Sequence, residues 1–99
     1  MNKLSLEIIT AQGVFMQDDD IDELVVRRRE SRFEKGSEIA IFPQHAPMLV
    51  RIPDSPIRYH KNGQVFKVTV TGGFVEVRDD HITFIVPSAE SPSRRSQGR

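Results

Sequence analysis

Apolar and polar residues alternate with a period of two through most of this chain, and that pattern restricts it to extended backbone. Leu4, Leu6 and Ile8 share one face with Lys3, Ser5 and Glu7 opposite. Phe66, Val68 and Val70 alternate with Lys67, Thr69 and Thr71, and Ile82, Phe84 and Val86 repeat the pattern. Shorter apolar pieces at Val14–Met16, Leu24–Val26, Ile39–Phe42, Met48–Ile52, Ile57–Tyr59 and Phe74–Val77 are each bounded by turn residues. No window of about 11 residues or more keeps helical spacing with a start and stop signal. The expected fold is all-β, a two-sheet β-sandwich of about nine or ten short strands.

The punctuation between strands sharpens this. Asn62-Gly63 fits a type I′ hairpin joining Ile57–Lys61 to Gln64–Val70, because both central positions need positive φ, and Asp79-Asp80 reads as another tight reversal. In Phe42-Pro43-Gln44-His45-Ala46-Pro47-Met48, Pro43 and Pro47 fix φ near about −65° and push Phe42 and Ala46 toward extended conformations, so the segment is a stiff corner. Gly72-Gly73 does the opposite. It permits positive φ or a close backbone approach just before an apolar strand, which suits a bulge or a strand that changes sheets.

At 99 residues the chain makes one domain, and folding at this size removes roughly 60–70% of the unfolded chain's surface. With no cysteine there is no disulfide framework and no thiolate metal site. Glu7 interrupts any N-terminal apolar run, and no stretch approaches the ~18 apolar residues of a membrane span, so a soluble chain without a secretion signal is expected. Fourteen basic and fourteen acidic residues balance, which supplies no overall field for nucleic acid or membrane. After Pro87 the composition turns polar, and the expected division is a sandwich over 1–88 and a mobile tail over 89–99.

Chemistry-bearing constellations are sparse. His45 lacks a local nucleophile or orienting partner and reads as a corner histidine that hydrogen-bonds backbone or fills a partner surface. His60 and His81 flank hairpins without metal-ligand spacing, so no metal site is expected. The acidic run Asp18–Glu23 lacks the ligand spacing and mid-loop glycine of a calcium loop and reads as a solvated turn. Arg27, Arg28, Arg29 and Arg32 are able to grip phosphates, but no interleaved aromatics accompany them. Glu76 points away from Val75 and Val77, suiting a cross-strand pair with a base such as Lys67 or Arg78. No Ser/His/Asp constellation and no phosphate-cradling loop is visible, so neither catalysis nor a cofactor is expected.

The corner and the Gly-Gly segment, in order and at their separation, are similar to paired signatures of the epsilon subunit of F-type ATP synthases, in its N-terminal β-sandwich domain. The resemblance extends over roughly residues 4–88. Leu6–Thr10 resembles that family's first strand, Asp22–Val26 the strand before its long loop, Ile41–Leu49 its proline-histidine corner, and His81–Val86 its closing strand. Three departures stand out. Gln44 occupies a position where the family usually has glycine, so the corner must avoid a glycine-only conformation or accept strain. The Arg27–Ser37 loop is longer than usual by about five or six residues. The chain ends in a polar tail where members continue into a helical hairpin that inhibits hydrolysis and in some cases senses ATP, so neither property is inferred.

The resemblance implies a non-catalytic central-stalk subunit that couples the gamma subunit to the membrane c-ring during ATP synthesis. Its place would be the cytoplasmic face of the bacterial plasma membrane, with membrane association indirect through the complex and no nucleic acid bound. Glu38 resembles a ring-facing acidic residue and Arg32 lies in the ring-side loop, while His45 and Gln44 lie by the gamma-contacting surface. Pro43, Pro47, Gly72 and Gly73 carry the structural motif. The alternative reading is a stand-alone β-domain that binds nucleic acid or an acidic ligand through its Arg-rich loop.

Overall fold

The structure, a computed structural model, describes residues 2–29, 37–90 and 93–95. Ten strands occur in chain order: β1 Leu4–Thr10, β2 Gly13–Ile21, β3 Glu23–Arg27, β4 Glu38–Ile41, β5 Met48–Arg51, β6 Ser55–Lys61, β7 Gln64–Val70, β8 Phe74–Arg78, β9 His81–Ile85 and β10 Ser93–Arg95. They form two five-stranded sheets, ordered β2-β1-β9-β8-β5 and β10-β7-β6-β3-β4. Every pairing is antiparallel except β1 with β9, which run parallel from Ser5↔His81 to Ile9↔Ile85. The expected all-β sandwich is the fold observed, and all nine apolar segments read from the sequence are strands.

Alternation decides which face of each strand is buried. Leu4, Leu6 and Ile8 from β1, Val75 and Val77 from β8, and Ile82 and Phe84 from β9 are buried. Opposite them lie Leu24 and Val26 from β3, Ile57 and Tyr59 from β6, and Val68 and Val70 from β7. Among the described residues no polar or charged side chain is fully buried apart from the Tyr59 ring. The core therefore rests on apolar area and close packing, about 25 cal/mol per Å² removed from water. Tyr59 stacks on Phe66, its register partner, with ring centroids 5.2 Å apart.

The two tight hairpins form as the sequence predicts. Asn62 and Gly63 have φ of 53° and 74°, and Asp79 and Asp80 have 52° and 64°, the paired positive values of type I′ turns. Two expectations are corrected. The acidic run is not a turn: Asp18, Asp19 and Asp20 lie in β2 and Glu23 opens β3, with the chain bending around Asp22. The run reads as loop because of its charge, whereas pairing with β1 and the half-buried position of Asp18 hold it in the sheet, with a bulge at Asp20, whose φ is 61°. Among the described residues Glu76 pairs with one of the two bases expected, but not across strands. Its nearest base is Arg78, two residues along β8 at 3.8 Å, while Lys67 belongs to the other sheet.

After β9 the chain leaves the first sheet and joins the second. Val86 N–H donates to Ile9 O, Thr71 N–H to Ser88 O, and Glu90 N–H to Thr69 O, at 3.0, 3.1 and 2.8 Å. Ala89 bridges Val70, and β10 lies along Val65–Lys67 of β7. The remainder of the polar segment that begins at residue 89 falls outside the described residues.

Candidate interaction surfaces

The proline corner carries the chain from β4, at the edge of the second sheet, to β5, at the edge of the first. His45 N–H donates to Phe42 O at 3.2 Å, closing a four-residue turn over Pro43 and Gln44. Gln44 has φ of 70°. Proline cannot adopt positive φ, so one positive φ at the third position defines a type II turn, where glycine is favoured. Of the two outcomes open to Gln44, the structure takes the strained one. A compensating contact is present: Gln44 N–H donates to Asp80 Oδ1 at 2.5 Å, tying the corner to the β8–β9 turn. His45 Nδ1 lies 2.7 Å from Ala46 O, the backbone role expected of it. Phe42 is left exposed on this corner.

Gly72-Gly73 sits where the chain passes from β7 in the second sheet to β8 in the first, the change of sheets that the sequence suggests. Both residues have positive φ, 63° and 99°. Gly73 is also spatially obligatory, because a Cβ there would lie 2.3 Å from Ile85 O and 2.9 Å from Val86 Cα. Ile52 N–H donates to Gly73 O at 3.0 Å, so the glycine pair also clamps the end of β5.

Glu38 opens β4, at the opposite end of that strand from the corner with Gln44 and His45. The candidate contacts are thus separated along the molecule. Glu38 is exposed and already engaged: Arg58 Nη2 lies 3.4 Å from both of its carboxylate oxygens. Both side chains are roughly half in water, so this pair contributes little stability and is free to exchange partners. Arg32 lies outside the described residues. Near the same end, Arg28 N–H donates to Ser37 O and Arg29 N–H to Arg51 O, joining the start of the Arg-rich loop to both β4 and β5.

Two polar groupings were not visible in the sequence. The first centres on Asp18, which accepts from Tyr59 Oη at 3.0 Å and from Lys61 Nζ at 2.5 Å. Burial pushes the Asp18 carboxyl up, but hydrogen bonds from Lys61, Tyr59 and the Asp19 amide outweigh it and hold the group below the usual carboxylate range. The same contacts act on the partners: burial and then the Asp18 bond push the Tyr59 phenol strongly up, and the Asp18 bond raises Lys61. At the strand bend, a hydrogen bond from Lys3 lowers Asp22.

The second grouping is a Ser–His–Glu line on the outer face of the first sheet. Ser5 Oγ is 2.5 Å from His81 Nδ1, and His81 Nε2 is 3.8 Å from Glu7 Oε1. Parallel pairing of β1 with β9, between residues 76 positions apart, creates it. The line lacks the other parts of an acyl-transfer site. Its histidine–glutamate separation exceeds hydrogen-bond range, and β1 and β9 are interior strands whose amides serve the ladders on both sides. Among the described residues no cluster of three or more His, Asp or Glu side chains is arranged to hold a metal ion. No helix there is long and apolar enough to cross a membrane.

The fold is a small β-sandwich with stiff connections between its sheets and with its polar groupings on open surfaces. Comparison with known proteins specifies its family. The chain belongs to the family of the ATP synthase delta/epsilon chain β-sandwich domain, whose model matches residues 3–92. It is similar to the ATP synthase epsilon chain of Bacillus licheniformis, 36% identical over 99 residues that cover all of this chain and 70% of that one. It is also similar to that of Alkalihalophilus pseudofirmus, 34% identical over 93 residues covering 94% and 65%. The chain thus spans about two thirds of the length of these curated relatives. In fold it is similar to a chain of the Tetrahymena thermophila mitochondrial ATP synthase central stalk and c-ring structure. The TM-score is 0.67 at 18% identity, covering 91% of this chain and 67% of that one.

Proposed function

We propose that this chain is a non-catalytic rotor element of an F-type ATP synthase, joining the gamma subunit to the c-ring on the cytoplasmic face of a bacterial plasma membrane. Family membership carries the reading, and the shape agrees with it. Two packed sheets deform little under load, so torque applied at one end reaches the other. The two candidate contacts occupy opposite ends of β4: Glu38 with its exchangeable Arg58 on the ring side, the Gln44–His45 corner on the gamma side. Arg32 belongs to the ring-side loop in this reading. Membrane attachment runs through the complex.

The test is a pull-down of the tagged chain from native membranes, which should bring gamma and c subunits with it. Glu38→Lys should cut recovery of c subunits while leaving unfolding stability within about 0.5 kcal/mol, because the Arg58 pair it breaks is solvent-screened. Unchanged recovery of c subunits would remove Glu38 from the interface, and recovery of neither subunit by the unmodified chain would refute the reading as a whole.

A further inference from the structure

Basic residues gather at the end of the molecule where β3 and β5 finish. Arg27 closes β3, Arg28 and Arg29 follow it, and Arg51 closes β5. Arg29 N–H donates to Arg51 O at 3.0 Å, so two arginines distant in sequence are fixed side by side at the backbone. The Arg51 guanidinium lies 5.6 Å from the Phe74 ring centroid, a cation–π contact that steadies it. Both arginines line an open cleft of about 360 Å³ with Asp54, Gly72, Gly73 and Phe74. The two glycines add only backbone to its wall, and a Cβ at Gly72 would lie 3.3 Å from Asp54 Oδ1 and crowd it.

The cleft sets two cations against one carboxylate. Asp54 forms no salt bridge with either arginine among the described residues, whereas Arg58 and Arg78 elsewhere on the molecule pair with Glu38 and Glu76. Both guanidinium groups are therefore open to an anion. Each offers paired N–H donors that match the oxygens of a carboxylate or a phosphate. A carboxylate has two oxygens, and one guanidinium saturates both. A tetrahedral phosphate keeps oxygens for a second guanidinium, so two arginines lining one cleft favour phosphate.

We propose that the Arg29–Arg51 cleft binds a phosphate group, presented by an anionic lipid headgroup or as free phosphate. The two guanidinium groups take the phosphate oxygens, and the Phe74 ring borders whatever the phosphate carries. Position bears on the source. Arg28 N–H donates to Ser37 O, which sets these arginines at the Glu38 end of β4. In the proposed function that end faces the membrane, where basic side chains are drawn to anionic headgroups. The lipid source rests on that reading, whereas capture of phosphate by the chain in solution does not.

The experiment titrates the 15N-labelled full chain with inorganic phosphate, and with acetate at equal ionic strength, and measures its sedimentation with phosphatidylglycerol and phosphatidylcholine vesicles. Phosphate should shift the amides of Arg29, Arg51, Gly72 and Gly73, and acetate should shift them far less. Arg29→Gln/Arg51→Gln should weaken phosphate binding about tenfold or more, while Lys67→Gln/Arg78→Gln, which removes the same charge elsewhere, should leave it unchanged. Retention on phosphatidylglycerol but not phosphatidylcholine, reduced about thirtyfold without the two arginines, identifies lipid as the source. Phosphate shifts without vesicle retention identify the free ion. An equal response to acetate, an equal loss in the charge-matched variant, shifts confined to other surfaces, or neither phosphate shifts at about 10 mM nor arginine-dependent vesicle retention overturns the proposal. A failed pull-down beside an intact phosphate response would refute the rotor reading alone.

Discussion

Replacing Gly73 by alanine tests whether the passage from one sheet to the other depends on a missing side chain. Two separable costs are involved. The first is conformational: at φ of 99° any L-residue with a Cβ is strained, by about 1–3 kcal/mol. The second is contact, because the new methyl would lie 2.3 Å from Ile85 O and 2.9 Å from both Val86 Cα and Cγ1. Two of these three atoms are backbone in or just after β9, paired on one side to β8 and on the other to β1, so relief means moving a ladder. Overpacking of that kind adds about 1–3 kcal/mol, for a total of about 2–6 kcal/mol. A domain of this length has about 5–15 kcal/mol in all. Gly13 supplies the control, since its φ of 115° is equally demanding and nothing lies within 4 Å of the corresponding position. Urea unfolding followed by far-UV circular dichroism, suitable for a chain with one tyrosine and no tryptophan, should show Gly13→Ala losing only the first cost and Gly73→Ala losing both. Equal losses for the two variants would show that the close approach to β9 is not what requires glycine.

Two further outcomes follow from the geometry. Gln44→Gly should raise stability by about 0.5–1 kcal/mol, the left-handed strain relieved less the extra freedom of glycine in the unfolded chain; thermal unfolding checks this, and a lower midpoint would show that Gln44 is not strained. Asp18 titrates below its ordinary value of 3.8 in the folded chain, so its contribution is fully present above that pH and is lost as pH falls through the folded value. Asp18→Asn should therefore cost about 1–2 kcal/mol at neutral pH and lose less between pH 5 and 2 than the unmodified chain; parallel pH profiles for the two would refute the assignment.

The architecture was legible because its information is local. Alternation within a strand names the buried face, and Asn62-Gly63, Asp79-Asp80 and Gly72-Gly73 mark reversals and the sheet change through backbone conformations that few residues adopt. Register between distant strands is not local, and everything missed depends on it. Asp18 looks like one charge in a run until β2 sets it beside Tyr59 and Lys61 from β6. Ser5, Glu7 and His81 are unrelated in sequence, and so are Arg29, Arg51 and Phe74, until the strands are laid side by side. Glu38 and His45 were chosen through family resemblance, since neither has an unusual local environment to single it out.

The parallel pairing of β1 with β9 also shapes how the molecule is made. Strand β1 borders β9, some 76 residues further along, so the middle of the first sheet stays incomplete until β9 has emerged from the ribosome. A nascent molecule can close the β1–β2 hairpin early, but Leu4, Leu6 and Ile8 lack their β9 neighbours Ile82 and Phe84 until that strand has been made. Sequence-distant pairing of this kind slows folding toward the millisecond-to-second range and lengthens the interval during which those side chains are open to chaperones.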